Sequence, residues 1–207
     1  METYRTIQNE AEDSFVERKS RFIGYVKPVK TEEEALAFIT RIKKKHWDAS
    51  HNVYAYSLRE GGIKRYSDDG EPQGTAGIPV LDVLQKSEVT DACVVVTRYF
   101  GGVLLGAGGL VRAYSHGASI ALKAGGVITM ALYIEAALTC DYSQYGRVSA
   151  LIPEQGGILC DVRYSDKVEI DFTIAGERLG ALNKELQNAT CGEVAARTKG
   201  ERFVILP

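Results

Sequence analysis

The segment Ala92-Cys-Val-Val-Val-Thr97 constrains the fold more than any other part of the chain. It is a continuous run of mostly β-branched residues, with no polar alternation that would turn one face to water. Such a run predicts a central strand covered on both faces. Behind it comes Arg98-Tyr-Phe-Gly-Gly-Val-Leu-Leu-Gly-Ala-Gly-Gly109, a glycine-dense turn. Leu110, Val111, Tyr114, Ala118 and Leu122 then line one helical face, which Gly125-Gly126 ends.

Upstream, Thr31-Glu-Glu-Glu34 is a capping box, with Ala35, Phe38, Ile39 and Ile42 at helical spacing behind it. Lys43, Lys44 and Lys45 sit where cations suit the helix dipole, so 31–46 is predicted as helix. Val53–Leu58 reads as a strand and Gly61-Gly62 as a turn. Residues 67–77 hold three glycines and a proline and must be a loop. It leads into a helix running through Leu84, with Pro79 in its first turn.

The last third has its own rhythm. Residues 132–140 read as strand and 143–154 as helix. Ile158 to Tyr164 and Val168 to Ile174 alternate as two strands joined by Ser165-Asp166-Lys167. Leu179, Leu182 and Leu186 make a helical stripe, and 193–205 returns as strand. The order β-α-β-β-α-β is that of a ferredoxin-like unit. The chain is therefore expected to be α+β in two domains, 1–130 and 131–207, with the boundary near 127–134.

Apolar residues at 45% and charged residues at 25% place the chain among soluble globular proteins. No apolar run approaches the roughly 18 residues of a membrane span. Met1 to Glu12 lacks the apolar core of a signal peptide, which predicts a cytoplasmic protein with no membrane partner. Cys93, Cys140, Cys160 and Cys191 are scattered and form no Cys-x-x-Cys pair, which argues against structural zinc. The formal net charge is −2, so nucleic-acid binding requires a local basic patch.

Four segments could carry chemistry. In the first, Arg98 to Arg112, a strand, a glycine turn and a helix start expose backbone N–H groups where an anion is favoured. Five glycines within 101–109, namely Gly101, Gly102, Gly106, Gly108 and Gly109, stand between two arginines and favour a binding surface. The alternative is that the glycines serve tight packing or positive φ. There is no Gly-Lys-[Ser/Thr], and Val111 replaces the third glycine of the dinucleotide fingerprint. The second segment, Asp68-Asp69-Gly70-Glu71, holds three carboxylates that could bind a hard cation, although a solvated acidic turn is the preferred reading. The third is His46 to Tyr54, in which His51 is a possible base or ligand. Ser50 beside it cannot face it as a catalytic partner. In the fourth, Tyr54, Tyr56, Arg59, Lys64, Arg65, Tyr66, Arg98, Tyr99 and Phe100 interleave aromatic and basic residues, the types that stack on bases and pair with phosphates.

Several stretches in this chain together resemble the YigZ/IMPACT family. They are Lys19-Ser-Arg-Phe22, Asp48-Ala-Ser-His-Asn-Val-Tyr-Ala55, Tyr66-Ser-Asp-Asp-Gly-Glu-Pro-Gln-Gly-Thr-Ala-Gly77, Val96-Thr-Arg-Tyr-Phe-Gly-Gly102 and Gly106-Ala-Gly-Gly-Leu-Val-Arg-Ala-Tyr-Ser115. The resemblance is strongest over about 15–125. It implies an N-terminal α/β sandwich similar to the second domain of a small-subunit ribosomal protein. That fold is shared with domain IV of elongation factor G and one superfamily of small-molecule kinases, and contains a left-handed β-α-β crossover. It implies a C-terminal domain similar to domain V of the same factor. Such a tandem suggests binding to the ribosome or structured RNA. Eukaryotic relatives regulate translation in amino-acid starvation by competing for an activator of a stress kinase. They use an extra N-terminal interaction domain that this chain is expected to lack.

The leading expectation is a binding protein, not an enzyme, that touches RNA or the ribosome and modulates translation or its stress regulation, with no cofactor and no DNA specificity. Its surface is expected to be Arg98, Tyr99, Phe100, the five glycines and Arg112, supported by His51, Asn52, Tyr54, Asp68, Asp69, Glu71, Gln73 and Thr75. The arginines would meet phosphates and the aromatics would stack on bases. The rival is a nucleotide- or phosphate-binding enzyme with a metal on Asp68, Asp69 or Glu71. A third reading is an adaptor that docks a regulatory protein on 98–112.

Overall fold

The computed structural model describes residues 2–206 and divides into two compact units, Tyr4–Thr129 and Met130 onward with residues 2–3. In the first unit β2 (Ala11–Glu17), β3 (Ser20–Pro28), β4 (His51–Ser57), β5 (Lys64–Ser67) and β6 (Ala92–Tyr99) form one sheet in the order β2-β3-β6-β4-β5. Every neighbouring pair is antiparallel. β1 (Thr3–Ile7) contributes Ile7 to the core.

β6 is central, as its composition predicts, and every residue from Ala92 to Arg98 is buried. Its side chains alternate between two cores. Ala92, Val94 and Val96 face Val80 and Leu84 of α2 (Gly77–Lys86) and Leu110, Tyr114 and Ala118 of α3 (Ala107–Gly125). Cys93 and Val95 face Ala35, Phe38, Ile39 and Ile42 of α1 (Glu32–Lys45). Helices thus cover both faces of an antiparallel sheet, and it is this double burial that demands an apolar strand. The antiparallel neighbours also remove the dinucleotide fingerprint, which needs a parallel β-α-β unit.

Local chemistry sets the helix ends. Thr31 Oγ1 accepts the Glu34 N–H at 3.3 Å, and the Glu34 carboxylate accepts the N–H of Lys30 at 2.7 Å, one residue before the cap. α3 lies close on β3, because a Cβ on Gly24 would stand 2.1 Å from the Gly117 carbonyl oxygen.

The second unit contains β7 (Val127–Cys140), α4 (Tyr142–Glu154), β8 (Ile158–Tyr164), β9 (Val168–Ile174), α5 (Gly176–Ala189) and β10 (Arg197–Ile205). The strands run β10-β7-β9-β8, all antiparallel, so the β-α-β-β-α-β expectation holds in element order. Val148 and Ile152 of α4 and Leu182 and Leu186 of α5 close the core over Leu138, Ile170 and Phe172. β10 begins four residues later than expected. Val194 and Ala196 instead give their N–H groups to the Thr190 hydroxyl and the Asn183 amide oxygen.

Candidate functional site: a basic rim over a buried ion cluster

The loops at one end of the first sheet are organised by a buried cluster. Arg98, the next-to-last residue of β6, is 4% exposed. Its Nη1 donates to Glu71 Oε1 at 2.6 Å, and its guanidinium lies over the rings of Phe22 and Phe100 at 5.4 and 5.3 Å. The Tyr114 hydroxyl donates to the same Glu71 oxygen at 2.7 Å, and His51 Nε2 stands 3.7 Å from it. Burial, and then the Glu71 carboxylate, push the Tyr114 phenol well above its ordinary range, which keeps it a neutral donor. His51 Nδ1 bonds the Asp69 carbonyl oxygen at 2.9 Å, so Nδ1 carries the proton in this pairing.

This geometry corrects the expectation for Arg98. Its guanidinium is turned inward onto Glu71 and not outward toward a phosphate. Arg112, by contrast, is exposed on α3.

The acidic loop is also structural. Asp68 Oδ1 accepts the N–H groups of Ala76 and Gly77 at 3.1 and 2.7 Å, and Oδ2 accepts that of Gly74 at 2.9 Å. It thereby caps α2, whose own first residue offers no side-chain cap. Asp69 accepts from Lys43 Nζ and from the Asn52 N–H, both at 2.6 Å. Glu71 is held by Arg98 and Tyr114. Among the described residues no three His, Cys, Asp or Glu side chains are gathered to hold a metal, and Asp68, Asp69 and Glu71 are each engaged separately.

The remaining supporting residues divide between framework and surface. Asn52 accepts from the Thr97 hydroxyl at 2.8 Å and donates to the His46 carbonyl at 3.2 Å. Thr75 donates to the Pro72 carbonyl at 2.6 Å. Tyr54 is half-buried, stacked with Tyr56 and covered by Lys43 Nζ. Gln73 is exposed. His46 bridges two tyrosines, with Tyr25 Oη at 2.7 Å from Nε2 and Tyr99 Oη at 2.9 Å from Nδ1, while Tyr99 donates to Asp48. Burial first, then Lys45, hold the His46 imidazole below its usual range.

What this end of the sheet presents outward is different from the buried cluster. Phe100, Gly102, Val103, Leu104, Gly106 and Gly108 are exposed. Gly101 lets the turn touch the β2–β3 hairpin, since a Cβ there would stand 2.0 Å from the Lys19 carbonyl oxygen. The Gly101 N–H donates to Ser20 Oγ at 3.2 Å. Gly102 and Gly106 have φ of 82° and 71°, values that favour glycine. Gly106 precedes α3, whose first turn has no side-chain cap, and Gly109 contacts Leu105. Beside the turn, Ser50 Oγ accepts the Phe100 N–H at 3.2 Å, and nearby Trp47 is 83% exposed. Arg18, Lys19, Arg21 and Arg112 are exposed, and among the described residues none has a carboxylate at ion-pair distance.

Sequence reasoning does not single out Arg18, Lys19, Arg21, Trp47 or the structural partners Ser20 and Tyr114 as site residues. The signals for them are positional: Lys19, Ser20, Arg21 and Tyr114 lie inside stretches that carry the family resemblance, Arg18 stands beside the first of these, and Trp47 lies in the 46–54 segment.

These loops fall within a stretch that matches a known domain family. Residues 18–122 match the Impact N-terminal domain, and residues 138–193 match a domain of unknown function, DUF1949. The IMPACT family member YvyE of Bacillus subtilis is 40% identical over 194 residues, covering 93% of this chain and 89% of that protein. This chain belongs to the IMPACT family. The family member YigZ of Escherichia coli is 33% identical over 180 residues, covering 86% of this chain and 88% of YigZ. The IMPACT homolog of Dictyostelium discoideum is 38% identical over 108 residues, covering 50% of this chain and 30% of that protein. A solved structure titled as a hypothetical protein aligns over 100% of this chain and 98% of its own, with a TM-score of 0.61 at 29% identity. In this IMPACT-family chain, the buried ion cluster and the basic rim both lie within the matched N-terminal domain.

Proposed function

We propose that this protein is a non-enzymatic RNA-contacting factor that associates with the ribosome or another structured RNA and so modulates translation. The observation that carries the reading is the rim of uncompensated cations, Arg18, Lys19, Arg21 and Arg112, around an exposed glycine turn. The chain as a whole is acidic, at −2, so four unpaired cations at one sheet end form a local feature and not a bulk property. Phosphates answer such cations, and the open turn lets a backbone approach closely. Phe100 and Trp47 add exposed aromatic faces on which unpaired bases can stack. Arg98 and Glu71 serve this surface indirectly by fixing the end of β6 and the Phe100 ring.

The test is binding of a structured RNA measured across salt concentrations. The full chain should lose affinity steeply as salt rises. Arg21→Ala/Arg112→Ala should bind more weakly and flatten the salt slope by about 1–2, one for each phosphate that is no longer neutralised. A slope and affinity equal to the parent's would refute the rim as the contact surface. The exposed Trp47 and Leu104, at 83% and 80%, favour a second reading in which the same end docks a polypeptide. Binding to a partner that withstands nuclease and high salt would support it.

A further inference from the structure

One cavity at this end has a composition that goes beyond general phosphate contact. A cleft of ≈ 440 Å³ lies between the β2–β3 hairpin and the start of α3. That volume is within the ~300–1,000 Å³ range of small-ligand sites. Its lining falls into three chemistries. Arg18 from the hairpin and Arg112 from α3 supply two guanidinium groups. Phe15, Val16 and Leu105 supply an apolar wall, with Val16 67% exposed and the Phe15 ring braced by His116 at 4.5 Å. Glu17 supplies a carboxylate that, among the described residues, has no cationic partner.

The backbone beneath Arg18 gives a second argument. Glu17 pairs with Ser20 across the hairpin, so Arg18 and Lys19 form a two-residue turn, and their φ values are 44° and 67°. A turn of this kind needs positive φ at both central residues, which is why Asn-Gly and Gly-Gly dominate it. Two long basic residues here put strain into the backbone, and strain kept at a surface turn points to a use for the side chains.

We propose that the cleft binds one ribonucleoside-phosphate unit. Arg18 and Arg112 hold the phosphate through charge-assisted hydrogen bonds. Glu17 accepts from the ribose hydroxyls, as an acidic residue does in dinucleotide sites. The apolar wall takes the base. The inference deepens the RNA reading of the same face, and rests on it for the case in which the unit is a residue of an RNA strand. The same chemistry also belongs to a free nucleotide, and the experiment separates the two sources.

The full chain is titrated calorimetrically with inorganic phosphate, adenosine 5′-monophosphate, its 2′-deoxy counterpart, and a five-nucleotide single-stranded oligoribonucleotide. Adenosine monophosphate or the oligoribonucleotide should bind at least about tenfold more tightly than phosphate, and the ribo form more tightly than the deoxy form. Arg112→Ala should weaken binding about tenfold or more, and Glu17→Gln should abolish the ribo preference. Arg18→Asn/Lys19→Gly should weaken binding while raising Tm, because it relieves the turn, so weaker binding cannot be ascribed to unfolding. Binding of the free nucleotide but of no RNA supports the cleft and overturns the RNA reading. RNA binding that weakens in Arg112→Ala and Arg18→Asn/Lys19→Gly, but is unchanged in Glu17→Gln and shows no preference for the ribo form, leaves the RNA reading standing and overturns the cleft. Absence of binding by both nucleotide and oligonucleotide at millimolar concentration also overturns it.

Discussion

Replacing Arg98 should unfold the N-terminal unit long before it tells anything about a ligand. The Arg98 and Glu71 side chains are 5% and 4% exposed and meet at 2.6 Å. Arg98→Ala would leave Glu71 as a buried carboxylate with only the Tyr114 hydroxyl donating to it and His51 Nε2 3.7 Å away. Breaking a buried pair in this way costs about 3–5 kcal/mol. The guanidinium also covers the Phe22 and Phe100 rings, and uncovering them adds to the penalty. In urea, with a slope of about 2 kcal/mol/M, the midpoint should fall by about 2 M. Far-UV circular dichroism follows the unfolding, and hydrogen exchange of the β6 amides assigns the transition to this unit. Arg98→Met/Glu71→Gln should recover more than half of the stability, because it removes the orphaned charge and keeps an acceptor for Tyr114. A midpoint for Arg98→Ala within about 0.5 kcal/mol of the parent, the range of a surface change, would refute the structural role argued here.

Three further outcomes follow from other parts of the structure. Asp68→Ala removes two hydrogen bonds at the start of α2 and a third to Gly74 in the loop before it, and should cost about 1–3 kcal/mol, read as a lower Tm and faster amide exchange at Val80 and Leu84. His46 is held below its usual pKa, so the unfolded chain binds the proton first and stability should fall as pH drops below about 6.5; denaturation midpoints at several pH values should show this fall, and His46→Gln should flatten it. Gly24→Ala drives a Cβ to 2.1 Å from the Gly117 oxygen and should lower Tm by the equivalent of about 1–3 kcal/mol, whereas Gly146→Ala, facing open space on α4, should be neutral or stabilise by up to about 1 kcal/mol.

The readable parts of the fold are those governed by local rules. Ala92 to Tyr99 announces a doubly covered strand by composition, and Thr31 with Glu34 announces the start of α1 by capping chemistry. The alternation in β9 likewise reveals a strand of the second unit, whereas β8, which alternates in sequence, is exposed at every residue but the half-buried Val162. The strands of residues 3–28 are not legible, and Ala11–Glu17 shows why. It is an edge strand, mostly exposed, whose sequence AEDSFVE carries no clear period of two. Its turn to β3 has neither glycine nor asparagine, so the usual hairpin signal is missing.

The candidate site is legible as a location but not as a set of roles. The glycine turn and the 66–77 loop do lie at one end of the sheet, joined through Arg98 and Glu71. Long-range pairing decides what each residue does. Arg98 meets a carboxylate 27 positions away, and Asp68 caps a helix that begins nine residues later. From sequence both read as outward charges, because an ionised side chain is rarely buried without a partner and the partner is not visible there. Arg112 is legible from sequence as an outward cation, whereas those at positions 18, 19 and 21 emerge only once the hairpin is in place beside Gly101.

The most direct test of the central claim is sedimentation of cell lysate through a sucrose gradient in low salt, with detection of this protein. It should travel with ribosomal particles, move to the top after nuclease or high salt, and leave the particles in the Arg21→Ala/Arg112→Ala variant, whose exposed positions spare the fold. A protein that stays at the top of the gradient in gentle salt, or one that sediments equally well without these two arginines, would contradict the account.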